Sequence, residues 1–92
     1  AAELQQLGHR HREAGYLYDA LEFYQRAAAA DDLKALIPLA ADAADLVLLL
    51  NLYRALDQDP DPSSVQALHD RALGLGKESV ARRAALLLVP KR

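Results

Sequence analysis

Apolar residues in this chain recur at three- and four-residue spacing, but only in short segments, each stopped by a glycine, a proline or an aspartate. That pattern admits a set of short helices and little else. It predicts a first helix over residues 2–13, carried by Leu4, Leu7, His11 and Ala14. Gly15 stops it, because glycine takes the left-handed cap conformation without a Cβ penalty. A second helix covers 17–29, with Leu17, Ala20, Leu21, Tyr24, Ala27 and Ala28 on one stripe. Asp31 and Asp32 mark a turn, and one of them caps a third helix over 32–41. Pro38 inside it predicts a kink, or a helix that only begins near Ile37. Asp42 or Asp45 caps a fourth helix through 56. The run from Leu46 to Leu50, with Leu52, makes that helix apolar nearly all round, which predicts a place in the middle of the stack. A loop of Asp and Pro follows over 57–62. Ser63, Ser64, Val65 and Gln66 then fit a capping box for a fifth helix to 73. Gly74 and Gly76 end it, and a sixth helix covers 77–89.

Composition agrees with an all-α fold. Hydrophobic residues make up 52% of the chain and aromatics only 5%, so the core is built from Leu and Ala, both strong helix formers. Gly and Pro number four each, and Val, Ile and Thr are scarce. At 92 residues the chain is one domain, 1–92, with a small core. It contains no Met and opens at Ala1, which reads as a fragment of a larger protein. Usage rich in Arg and Ala and poor in Lys points to a bacterial, high-GC genome.

Charge and special residues narrow the function. The net charge of −2 gives no reason to expect nucleic acid, and the basic pairs Arg82-Arg83 and Lys91-Arg92 lack interleaved aromatics. The charge is unevenly spread: about −1 over residues 1–30, −5 over 31–61 and +4 over 62–92, an asymmetry able to steer docking. No apolar run reaches 18 residues, so no membrane span is expected. With no cysteine, disulfides and thiolate metal sites are excluded, and a cytoplasmic location fits. His9 and Glu13 are spaced to share one side of a helix, but two ligands are too few for a catalytic zinc, and no metal or cofactor is expected. His9 is then a surface residue and His11 fills an aromatic slot. Glycine-rich phosphate loops, EF-hand spacing and nucleophile motifs are missing from the sequence. No cluster of titratable residues points to catalysis.

Small and large residues alternate across residues 4–27 in a particular order: Leu4, Leu7-Gly8, His11, Gly15, Ala20, Tyr24 and Ala27. The small ones let two helix axes approach, while Leu4, Leu7, Phe23 and Tyr24 fill the space beside them. This segment resembles the tetratricopeptide repeat. His11 stands where the family has an aromatic, and Asp32 where it has a closing proline. A second unit, offset by 28, places Leu36, Leu48, Leu52, Ala55 and Pro60 in corresponding slots but lacks the glycine turn. A third, offset by 61, gives Val65, Leu68, His69, Ala72, Gly76, Ala81, Ala85 and Leu88.

The resemblance implies six helices in three antiparallel hairpins, stacked as a right-handed superhelix, and a scaffold with no catalysis. It implies a protein or peptide partner held by the first helix of each hairpin. Carried over by position, that surface is Gln5, His9 and Arg12 in the first unit, with Gln66 and Asp70 in the third. Gln5 and His9 occupy the places of the family's Lys/Asn carboxylate clamp, which argues against capture of a C-terminal carboxylate. The alternative is self-association. Leu86 and Val89 lie off the packed stripe of the last helix, formed by Val80, Ala84, Leu87 and Leu88. That sets them on the flank where a next repeat would stack, and an end of the stack could there bind another copy.

Overall fold

The periodicity becomes six helices in the computed structural model, which describes residues 2–90. They are α1 (Ala2–Glu13), α2 (Leu17–Arg26), α3 (Ala30–Asp42), α4 (Leu46–Ala55), α5 (Pro62–Gly74) and α6 (Glu78–Leu87). The described residues contain no strand, so the chain is all-α. Consecutive helices pair as α1 with α2, α3 with α4 and α5 with α6. Together they form a slab of 41 × 30 × 15 Å.

The first five helices end in one motif. After α1 the Tyr16 N–H donates to the His11 carbonyl and the Gly15 N–H to Arg12. The same two bonds recur as Ala29 to Tyr24 and Ala28 to Gln25, Asp45 to Ala40 and Ala44 to Ala41, Gln58 to Tyr53 and Asp57 to Arg54, and Lys77 to Ala72 and Gly76 to Leu73. This is the Schellman arrangement, which satisfies the last carbonyls of a helix and needs one residue with positive φ. Gly15 and Gly76 supply it at 87° and 74°. Ala28, Ala44 and Asp57 adopt it at 53°, 52° and 55°. The second unit therefore has the turn without its glycine.

At Ala28 the methyl group is exposed and only adds strain. Ala28→Gly is expected to stabilise the fold by about 1 kcal/mol, read as a shift in urea unfolding midpoint at constant m value. Ala44 differs, since its methyl is buried in a cluster with Ala72 and Ala81. Glycine there removes packing along with strain, and the gain should vanish.

The helix starts depart from the sequence reading in two places. α3 begins at Ala30, so Asp31 and Asp32 lie inside its first turn, where their charge favours the positive helix end. The helix does not wait for Ile37, and Pro38 sits inside it. Pro38 and Lys34, whose carbonyl loses its donor, are both on the exposed face, where water is at hand. α5 is capped by Asp61, which accepts from the Ser63 N–H and hydroxyl at 3.0 Å, with Pro62 as the first helical residue. The Ser–Gln capping box does not form. Ser64 instead accepts from the Tyr53 hydroxyl at 2.9 Å.

The middle of the slab is α3 and not α4. α3 packs against α2, α4 and α5. It buries Leu33, Leu36, Ala40 and Ala41, which join Tyr24, Leu49, Leu52, Val65, Leu68 and Ala84 in one core. The third hairpin is tied to the end of α3 by Arg71, donating to the Asp42 carbonyl at 2.8 Å, and by Lys77, donating to the Ala43 carbonyl at 3.1 Å.

Candidate interaction surfaces

Two of the α1 residues expected to face a partner, Gln5 and His9, make hydrogen bonds within the fold. Gln5 donates to the Asp32 carboxylate at 2.6 Å and so joins α1 to α3. His9 Nδ1 lies 2.6 Å from the Tyr24 hydroxyl, with the two rings edge to face at 5.4 Å. His9 is half-buried, so it is not the plain surface residue the sequence suggested. Tyr24 is fully buried. Burial raises its pKa, against the opposing pull of the nearby Arg12 guanidinium. Arg12 is itself half-buried. His11 packs against Phe23 with the rings tilted and their centroids 4.8 Å apart. Its Nδ1 lies 2.7 Å from the Leu7 carbonyl, which can only accept, so that nitrogen carries the proton.

On α5, Gln66 donates to Asp70 at 2.9 Å and His69 Nδ1 lies 3.1 Å from the same oxygen. These bonds, from His69 first and then Gln66, hold the Asp70 pKa below the usual carboxylate range. Both Gln66 and Asp70 are exposed. Among the described residues no hydrogen bond joins Gln5, His9 or Arg12 to this pair. Gln5 and His9 are thus bonded to Asp32 and Tyr24, and Gln66 and Asp70 to each other.

A different surface is open. α4 and α6 diverge and leave a groove of about 450 Å³ between them. Leu46, Val47 and Leu50 line one wall and Val80, Leu86 and Leu87 the other. Asp45 and Arg83 stand on its rim. Asp45 is held rigidly: it caps α4 through the Leu48 N–H at 3.0 Å and accepts the Tyr18 hydroxyl at 2.8 and 2.9 Å. Tyr18 is pushed up to about 12, by burial first and by Asp45 second. A second groove, of about 280 Å³, continues past the end of α6, where Leu86, Leu87 and Val89 face Asp59, Pro60, Pro62 and Val65. Val47 is 55% exposed, Leu86 71%, Leu87 48% and Val89 60%. Another opening of about 440 Å³, around Arg54, Asp57, Gln58 and Asp59, is predominantly polar.

This arrangement corrects the facing of the last helix. Leu87 lies outside the packed stripe, which consists of Val80, Ala81, Ala84 and Leu88. Leu86 lines the groove shared with α4, while Val89 lies beside Asp59, Pro60, Pro62 and Val65. In the first unit Leu17 and Leu21 pack on the core. The corresponding positions of the third unit are Glu78 and Arg82, both exposed, beside His69, Leu73 and Ala85.

The sequence carried one sign of the groove that went unread. A helix apolar all round needs cover on every side, and α4 packs mainly on α3 and α2 while Val47 stays exposed. Among the described residues no three His, Asp or Glu side chains gather as metal ligands, and no helix is long and apolar enough to cross a membrane. Arg82 and Arg83 are exposed on α6, while Lys91 and Arg92 lie outside the described residues. Comparison with known proteins found no family model, no curated protein and no solved structure that matches this chain.

Proposed function

We propose that the chain is a non-catalytic docking module of the helical-hairpin kind, similar to tetratricopeptide repeats, which holds an apolar helical segment of a protein between α4 and α6. The groove carries this reading. Single exposed apolar side chains are ordinary, but Val47, Leu50, Leu86 and Leu87 line one cleft. Its walls are two helices, so a guest helix could seat apolar residues of one face there. Little ordering of the host is then needed. The repeated turns and the small-against-large pairing of Gly8 with Tyr24 support the hairpin-repeat assignment.

A peptide-display selection tests the proposal, with the chain immobilised at low density so that copies do not meet. Enriched peptides should carry apolar residues three and four apart. Val47→Asp should lose them with its helicity unchanged, because Val47 is exposed. No enrichment, or the same peptides bound equally by Val47→Asp, would remove the α4–α6 groove as the docking site.

A further inference from the structure

We infer that a second copy of this chain docks on the outer face of the α5–α6 hairpin, across a two-fold axis that sets the two α6 helices antiparallel. This face shares no lining residue with the α4–α6 groove, and the inference does not depend on that groove being a docking site. A shallow cleft of about 340 Å³ runs between α5 and α6, lined by His69, Leu73, Glu78, Ala81, Arg82 and Ala85. Leu73 is 55% exposed there. In the first hairpin the positions corresponding to Glu78 and Arg82 are Leu17 and Leu21, which are half-buried against the core. The last hairpin leaves the equivalent side uncovered, with an acid and a base in place of the two leucines.

Charge selects the occupant. Glu78 and Arg82 stand about one turn apart on α6, both exposed, and neither takes part in an ion pair among the described residues. The other charged groups nearby are engaged elsewhere. Lys77 donates to the Ala43 carbonyl, Arg71 to the Asp42 carbonyl, Arg83 lines the α4–α6 groove, and His69 is bonded to Asp70. An acid and a base four residues apart become their own complement when the helix is reversed, and a two-fold contact performs that reversal. An axis crossing α6 level with Val80 brings Glu78 of each copy to Arg82 of the other, giving two ion pairs to groups that have none. Ala81 and Ala85 add little bulk between the helices, so the two can approach closely and cover Leu73 of each copy. A further hairpin stacked as α3 stacks on α2 would set leucines against these charges and bury them without partners, which is costly.

Sedimentation equilibrium of the whole chain tests this. The apparent mass should rise from 10.1 kDa toward twice that value as concentration increases. Leu73→Asp should weaken association by about tenfold or more, with the far-ultraviolet circular dichroism unchanged because the residue is exposed. Glu78→Arg and Arg82→Glu should each weaken it, more at low salt, since like charges then meet twice across the axis. The double variant should recover it, because both pairs are restored with their signs exchanged. Leu86→Glu, in the other groove, should leave it unaltered. Four results overturn the inference: a monomer up to about 1 mM, a dimer indifferent to Leu73→Asp, a double variant no tighter than the singles, or a dimer lost with Leu86→Glu. The peptide selection reads the α4–α6 groove through Val47→Asp, so either reading can fail while the other stands.

Discussion

Tyr24→Ala is expected to lose about 3–5 kcal/mol, and to reverse the sign of a second substitution, Gly8→Ala. The Tyr24 ring is fully buried and lies against Gly8, where α1 and α2 cross. A Cβ added at Gly8 would stand 2.6 Å from Tyr24 Cδ1, well inside contact distance. The ring has little freedom to yield, since its hydroxyl is bonded to His9 and its faces to the core. In the parent chain the overlap, about 1–3 kcal/mol, should exceed the helix-forming advantage of alanine over glycine, about 1 kcal/mol. Gly8→Ala therefore destabilises. With Tyr24 already truncated, the overlap is gone and only the advantage remains, so the same change stabilises. Urea unfolding of the two single variants and the double variant decides it. Additive effects would mean that Gly8 is small for some reason other than the ring.

Leu36→Ala is expected to cost about 2–5 kcal/mol, while Leu39→Ala one turn on stays within about 0.5 kcal/mol. Both are leucines of α3, and they differ in what surrounds them. Leu36 is fully buried on the helix that packs against α2, α4 and α5, whereas Leu39 faces solvent. A chain of this length holds about 5–14 kcal/mol in all, so losing Leu36 should bring unfolding close to ambient conditions. Thermal melts of the two variants give the comparison. Equal midpoints would show that α3 is not the centre of the core.

Much of the fold was legible because it depends on local chemistry. Gly15 and Gly76 could be assigned to turns, since positive φ favours glycine. Asp45 could be named among two candidates for the cap of α4. Ala28, Ala44 and Asp57 take the same turn conformation without any residue that announces it, which is why the α3–α4 turn is not marked by a glycine. Pro38 does not delay the start of α3: its local cost is real, but it falls on an exposed face of a helix fixed by packing elsewhere.

The interaction surfaces were less legible. Gln5, His9, Gln66 and Asp70 were identified by position, and nothing in a sequence shows that Gln5 meets Asp32 from 27 residues away or that His9 meets Tyr24. By itself the sequence determined an all-α chain of six short helices, two of their turns through Gly15 and Gly76, and the small residue at Gly8 that permits close crossing. Those properties follow from backbone conformation and from spacing along a single helix. Only the tertiary structure decided that α3 is central, that α4 and α6 part to leave an apolar groove, and that Leu86 faces it. Each of these depends on how helices distant in sequence share a limited apolar surface, and periodicity within one helix does not record which of its neighbours is absent.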